Sequence, residues 1–368
     1  MYSEKDRMFM ESALELARKG IGKTSPNPMV GAVIVKDGKV VGQGYHKKAG
    51  TEHAEVVALQ QAGEAARGAD IYVTLEPCSH FGKTPPCAPA LVEAGIKRAV
   101  IACLDPNPKV AGRGEKLLRD RGIETEVGLF QQQAWQLNEV FFKYIQTGNP
   151  FMVLKTAMTL DGKIAAAGGD SRWITSETSR HMVHQLRNIY DGIMVGIGTV
   201  LSDDPLLNTR LPEHDKRDPV RIIVDGRLDL PLDSQIARTA REQETIILTS
   251  VIKEPGRAEA LTQKGIKIIE LGGNPEQVPV EKALPILGEM KICSILVEGG
   301  ATLNAYLLEQ KIIDKVYWFI APKLIGGKTA PTPLAGQGIQ LMKDAVELAD
   351  VQYQQVDSDL LITGYTRW

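Results

Sequence analysis

His53-Ala54-Glu55, Pro77-Cys78 and Pro86-Cys87 are the residues of this chain whose types and spacing suit chemistry. One imidazole and two thiolates supply three ligands for a tetrahedral Zn²⁺ and leave a fourth position open to water. Glu55 lies two residues past the histidine, close to that position without being needed as a ligand. A carboxylate that shuttles protons there turns water into a hydrolytic nucleophile near neutral pH. The alternative is a closed structural knot or a set of buried thiols, but a knot normally has a fourth protein ligand nearby.

Several elements must bring these residues together. Ser3 with Asp6 reads as a helix N-cap, and Met8, Met10, Leu14, Leu16 and Ala17 predict a mostly buried helix ending at Gly20. Ser25-Pro26-Asn27-Pro28 is a stiff loop into the apolar run Ala32–Val35, and Asp37-Gly38 is a hairpin turn with Lys39 to Gly44 as the returning strand. Asn27 is either a simple turn residue or an amide aimed at a ligand. A helix from His53 to Ala62 carries the first ligand and Glu55 in its opening turn. Strands at 70–75, 99–102 and 123–127 alternate with helices at 88–94 and 114–121, which implies a sheet covered on both faces. Gln131 to Gln146 is amphipathic and reads as one closing helix before the turn-rich Thr147-Gly148-Asn149-Pro150.

Composition bounds the whole. A chain of 368 residues is too long for one ordinary core, so two domains are expected, 1–147 and 148–368. With 24% charged and 43% apolar residues it has the balance of a soluble globular protein. A net charge of −2 argues against a broad nucleic-acid or membrane-binding surface. Two of the four cysteines are used at the proposed metal site, and Cys103 and Cys293 read as buried thiols, a usage suited to a reducing cytoplasm. Met1 to Lys19 offers no signal-peptide core, and no run approaches membrane-spanning length.

Two clusters of motifs carry a family resemblance. The H-x-E pair with two cysteines is the layout of zinc deaminases acting on nucleobases, but the common P-C-x-x-C spacing is replaced here by an eight-residue loop, Ser79 to Pro86. That loop, with Asn27-Pro28-Met29-Val30-Gly31, Thr74-Leu75-Glu76-Pro77-Cys78, Asp105-Pro106-Asn107-Pro108 and Val110-Ala111-Gly112-Arg113-Gly114, resembles the bifunctional riboflavin-biosynthesis deaminase–reductase family. The resemblance implies a cytidine-deaminase-like, three-layer α/β fold for the first domain. Its implied reaction is loss of the 2-amino group from 2,5-diamino-6-ribosylamino-4(3H)-pyrimidinone 5′-phosphate. It assigns His53, Cys78 and Cys87 to one Zn²⁺ per chain and makes Glu55 the proton shuttle. Asn27, His46, His80, Lys83, Asp105 and Asn107 become candidates for gripping base, ribose or phosphate. From the residues alone, His80 can equally be a fourth metal ligand and Lys83 a solvated loop lysine.

The second half resumes the alternation. Strands are predicted at 192–195, 220–224, 245–249, 267–271, 294–297 and 316–320, and helices at 177–189, 255–264, 280–289 and 303–310. Glycines cluster where strands end, at Gly196-Ile197-Gly198 and Glu298-Gly299-Gly300, where bare backbone can approach a phosphate. The ordinary dinucleotide fingerprint fails because Leu201 stands at the third glycine position, and tight strand–helix turns explain the pattern equally well. Leu160-Asp161-Gly162-Lys163, Trp173-Ile174-Thr175-Ser176, Gly196 to Val200, Asp203-Asp204-Pro205, Val297 to Gly300 and Ala321 to Gly327 are similar to the reductase half of the same family. That likeness implies a dihydrofolate-reductase-like fold and NADPH-dependent reduction of the ribosyl group to ribityl. By it, Ala157, Trp173, Thr199, Asp203, Gly300, Ala301, Thr302 and Leu303 line the cofactor, and Ser171, Arg187, Leu207, Arg210 and Glu298 meet the substrate. Guanidinium forks at Arg187 and Arg210 match phosphate oxygens, although either can be an ordinary surface arginine. By the same resemblance Thr is expected at position 208, where this chain has Asn.

The expectation is thus a cytoplasmic two-step enzyme acting on a small phosphorylated pyrimidine, free of nucleic acid and membrane, and a homo-oligomer. Its rivals are a tRNA-base deaminase with an RNA-binding module, disfavoured by the near-neutral charge, and a zinc-stabilised scaffold.

Overall fold

The computed structural model describes residues 2–79, 85–107, 110–212 and 216–368. The chain divides into two compact units, Met1–Gly148 and Asn149–Trp368.

The first unit is built on a five-stranded sheet of β1 (Gly31–Lys36), β2 (Lys39–Tyr45), β3 (Asp70–Val73), β4 (Arg98–Ile101) and β5 (Glu124–Val127), in the order β2-β1-β3-β4-β5. The β1–β2 and β1–β3 pairs are antiparallel, and β3, β4 and β5 run parallel. Asp37 and Gly38 both take positive φ, the requirement of the tight turn whose twist matches its flanking strands. The first five residues of β1 are buried, so both faces are covered and the strand reads as an unbroken apolar run. Helix Glu4–Arg18 packs on β1, and its N-terminus is closed by a capping box between Ser3 and Asp6. Helix Ala54–Ala62 lies directly on β2: a Cβ at Gly42 would stand 2.2 Å from the Ala58 carbonyl oxygen, and one at Gly44 2.4 Å from that of Ala54. Only glycine allows so close an approach.

The expected closing helix over 131–146 is two helices, Gln131–Leu137 and Glu139–Thr147. The break is at Asn138, which is buried and clasps a distant backbone. It accepts from Met29 N–H at 2.7 Å and donates to the Met29 carbonyl at 2.9 Å. A side chain committed that way takes its residue out of helical geometry (φ −110°, ψ 19°).

The second unit holds one nine-stranded sheet. Its strands are β6 (Phe151–Thr159), β7 (Gly192–Gly196), β8 (Val220–Val224), β9 (Thr245–Thr249), β10 (Ile266–Glu270), β11 (Ser294–Val297), β12 (Lys315–Ala321), β13 (Leu348–Val356) and β14 (Asp359–Thr366). The order is β10-β9-β8-β7-β11-β6-β12-β14-β13. From β10 to β12 all neighbours are parallel, and β14 and β13 close one side antiparallel. The chain leaves β6, steps outward from β7 to β10, and returns with β11 between β7 and β6. A crevice at the carboxyl ends of the strands accompanies such a switch in direction. The terminal hairpin was not anticipated: most of β13 is exposed, and its Gln352-Tyr353-Gln354-Gln355 lacks the apolar run that marks a buried strand.

A buried charge cluster ties the first unit together away from the metal-ligating residues. Asp6 accepts from Arg98 at 2.8 Å, from the Tyr72 hydroxyl at 2.7 Å and from Ser3. Burial alone would push the Asp6 carboxyl up, but hydrogen bonds from Arg98, Ser3 and Tyr72 outweigh it and hold the group well below the usual carboxylate range. With the folded value below the unfolded one of about 3.9, this stabilisation is fully present above that pH and is lost as pH falls toward the folded value. Asp6→Asn is expected to cost about 2 kcal/mol at pH 7. It should also flatten the loss of thermal stability between about pH 5 and pH 3. Melting curves of both proteins across that range check the sign.

Candidate active sites

In the first unit the sheet delivers three ligand atoms to one point. His53 is the N-cap of helix Ala54–Ala62, Cys78 follows β3, and Cys87 opens helix Cys87–Glu93. His53 Nδ1 lies 2.9 Å from Cys87 Sγ and 3.6 Å from Cys78 Sγ, and the sulfurs are 3.6 Å apart. A tetrahedral zinc with bonds of about 2.0 Å to nitrogen and 2.3 Å to sulfur sets edges of about 3.5–3.8 Å. Two of the three edges already have that length, so the donor set fits the ion. Among the described residues no fourth His, Cys, Asp or Glu joins the group. The Cys87 N–H donates to Cys78 Sγ at 3.3 Å. The Cys87 thiol and the His53 imidazole hold Cys78 well below an ordinary thiol, at about 4, the thiolate form that a metal takes.

Glu55 is buried in the first turn of the His53 helix, in hydrogen-bond contact with Cys87. Burial, then the Cys78 charge, pushes its carboxyl up to about 7. Beside it, His46 Nδ1 lies 3.0 Å from the Glu52 carbonyl, which can only accept, so Nδ1 carries the proton and Nε2 accepts from Asn27 Nδ2 at 3.1 Å. This fixes the Asn27 amide. His46 packs edge-on against His53 with ring centroids 5.6 Å apart. Asp105 is buried and its Oδ1 accepts from the Asn107 N–H at 2.8 Å. His80 and Lys83 lie outside the described residues.

In the second unit a cavity of about 480 Å³ opens at the carboxyl ends of β6, β7 and β11. It gathers Ala157, Ser171, Thr199, Asp203, Glu298 and the run Gly300 to Leu303. Gly196, Gly198, Gly299 and Gly300 make part of its wall bare backbone. Helix Ala301–Glu309 points its N-terminus there with Gly300 as a cap that has no side chain to satisfy the first N–H groups. Free amides at a helix start suit the phosphates of a dinucleotide, and the volume falls within the range of cofactor sites.

The cavity also exposes a residue that motif reading passed over. Lys155, on β6, lies with Nζ 2.8 Å from Glu298 Oε2. Arg187 takes the same carboxylate in a fork, Nε to Oε1 at 2.6 Å and Nη2 to Oε2 at 3.1 Å, and donates Nη1 to the Asn208 carbonyl at 3.0 Å. Burial would raise Glu298, but the charges of Arg187 and Lys155 hold it well below the ordinary carboxylate range. The available signal was a lysine inside the apolar strand run Phe151 to Ala157.

Four expected contacts lie off the cavity wall. Arg187 stands behind Glu298, and Leu207, at φ 54°, turns its side chain into the core beside Val195 and Ile223. Arg210 is exposed, with its backbone N and Nε each 3.2 Å from a ring nitrogen of His184. Trp173 is exposed under the Arg180 guanidinium, 4.5 Å from the ring centroid.

Residues 150–362 match the RibD C-terminal domain, and residues 3–103 match the cytidine and deoxycytidylate deaminase zinc-binding region. The chain is 46% identical over 357 residues to the riboflavin biosynthesis protein RibD of Actinobacillus pleuropneumoniae, covering 97% of this chain and 94% of that protein. The chain belongs to the RibD family of riboflavin-biosynthesis proteins. The RibD of Bacillus amyloliquefaciens is 44% identical, over 98% of this chain and 96% of its own length. Among solved structures, Acinetobacter baumannii RibD superposes with a TM-score of 0.87 at 37% identity, covering 99% of both chains. The Thermotoga maritima diaminohydroxyphosphoribosylaminopyrimidine deaminase/5-amino-6-(5-phosphoribosylamino)uracil reductase gives 0.84 at 36%, again over 99% of both. The RibD architecture is α/β throughout, a cytidine-deaminase-like domain followed by a dihydrofolate-reductase-like one.

Cys87→Ser is expected to lower bound zinc from about one per chain to near zero, because a hydroxyl replaces one of three ligands. Glu55→Gln should keep the full complement. Metal analysis of the two purified variants distinguishes a ligand from a neighbour.

Proposed function

We propose that this chain carries out two consecutive steps of riboflavin biosynthesis. Residues 1–147 deaminate 2,5-diamino-6-ribosylamino-4(3H)-pyrimidinone 5′-phosphate to 5-amino-6-(5-phosphoribosylamino)uracil. Residues 148–368 then reduce its ribosyl group to ribityl with NADPH. The reading rests on one observation above the rest: the His53, Cys78 and Cys87 donors converge beside a buried Glu55 in a chain that matches RibD relatives over nearly its full length.

Bound at the three donors, zinc supplies the Lewis acidity that makes water nucleophilic near neutral pH. Glu55 takes up a proton at its carboxyl and delivers it to the leaving amino nitrogen, so ammonia departs and the ring carbon becomes a carbonyl. Burial keeps solvent from competing for that proton. Asn27, locked by His46, presents its amide oxygen to the base, and Asp105 and Asn107 grip the ribosyl phosphate side.

In the second unit NADPH supplies the hydride. The amides of Ala301 to Leu303 meet its phosphates, and Ala157, Thr199 and Asp203 border its remaining length. Ser171 and Glu298, on the cavity wall, orient the sugar. Lys155, with Nζ 2.8 Å from Glu298 Oε2, gives a proton to the ring oxygen released as C1′ accepts hydride. Arg187 anchors Glu298 and so aims Lys155.

The four cysteines, none joined in a disulfide, support a reducing cytoplasm, and no helix among the described residues is long and apolar enough to cross a membrane. Self-association through the open edge of β13, where Tyr353 is exposed, makes the protein a homo-oligomer. Light scattering should give at least twice the chain mass, and Tyr353→Asp should shift it toward the monomer. A wild-type monomer removes the claim.

Supplied with the diaminopyrimidinone phosphate and NADPH, the protein should release ammonia and then oxidise the cofactor. Glu55→Gln should cut ammonia release at least 10³-fold while leaving reduction of the deaminated product intact. Lys155→Met should do the reverse, with a loss of about 10² in reduction. No ammonia from zinc-loaded protein sinks the first assignment, and no NADPH oxidation on the deaminated product sinks the second.

A further inference from the structure

Glu76 is a buried carboxylate that the two reactions leave unused. It sits two residues before Cys78, yet its oxygens turn away from the thiol cluster to four backbone amides. Oε1 accepts from Gly114 N–H at 2.8 Å and Glu115 N–H at 3.1 Å, and Oε2 from Gly112 N–H at 2.9 Å and Asp105 N–H at 3.2 Å. Asp105 and Gly112 lie between the end of β4 and helix Arg113–Asp120, and Gly114 and Glu115 lie in that helix's first turn. Gly112, the N-cap of that helix, has no side chain to satisfy the helix start, so Glu76 does so from another element. The contact is tight from the other side too. A Cβ on Gly114 would stand 1.8 Å from the Pro77 carbonyl oxygen, so this backbone rests directly on the residue preceding a metal ligand. Glu76 N–H also donates to the Cys103 carbonyl at 3.0 Å.

We infer that Glu76 is a positioning residue for deamination, clamping the connection that carries Asp105 and Asn107 at a fixed offset from the Cys78 segment. This rests on the reading that Asp105 and Asn107 grip the substrate. Four converging N–H donors need acceptors at both oxygens, which a carboxylate offers and an amide does not. In Glu76→Gln the Nε2 group faces two donors, Asp105 and Gly112 or Gly114 and Glu115, and that side of the clamp opens.

The test uses the full chain loaded with zinc. Glu76→Gln should retain one zinc per chain and wild-type NADPH oxidation on the deaminated product. Its KM for ammonia release should rise at least 10-fold with kcat changed less than 3-fold. Hydrogen exchange should quicken in peptides spanning 105–115 and stay unchanged in those spanning 54–62. A KM within 2-fold of wild type, a fall confined to kcat, or unchanged exchange over 105–115 overturns the inference. Loss of zinc also overturns it, because Glu76 would then be holding Cys78 itself. Asn107→Ala separates the two claims: if it leaves KM unmoved, the substrate-grip reading fails. If it raises KM while Glu76→Gln does not, only the clamp fails.

Discussion

A carboxylate withdrawn from water has to be met oxygen by oxygen, and both units of this chain are arranged around that demand. Three glutamates at or near element ends show three ways of meeting it. Glu298 is answered by two cations, Lys155 and Arg187, and stays ionised in the wall of a cavity. Glu76 is answered by four peptide N–H groups, which costs no charge and locks a loop. Glu55 is left with little beyond a thiol neighbour, and burial raises it toward neutrality. Each solution corresponds to a different duty: holding a proton donor, holding a backbone, and exchanging a proton.

The sheets explain why these groups stand where they do. Parallel strands run out of ladder partners at their carboxyl ends, and the loops leaving them carry the polar residues. β3 leads to Glu76 and Cys78, β4 to Asp105, and β11 to Glu298, which Lys155 meets from within β6. Both units therefore place their chemistry at the same kind of edge while using different strand orders.

Much of this architecture was legible in the residues, and the reasons are local. Strands buried on both faces, such as Gly192–Gly196, Thr245–Thr249 and Ser294–Val297, are short, mainly apolar runs. Helix Glu177–Ile189 announces itself through Ser176, whose hydroxyl accepts from the Ser179 N–H. His53, Cys78 and Cys87 converge as their chemistry demands. What escaped depends on partners far along the chain. Asn138 breaks a helix for the sake of Met29, 109 residues away. Lys155 and Glu298 are neighbours only once β6 and β11 pair. β13 is too polar and too exposed to look like a strand until β14 lies beside it.

The close contact between β2 and the His53 helix reaches further than packing. Gly42 and Gly44 touch no ligand and no proton path, yet the helix backbone that carries Glu55 rests where their side chains would be. A methyl group added at either site would lift the proton shuttle away from the metal-binding donors by steric pressure alone. In a mutational scan, two featureless positions on the far side of a helix would thus score like catalytic ones. Tolerance to substitution in this unit follows the thickness of the layer beneath the site as much as the chemistry within it.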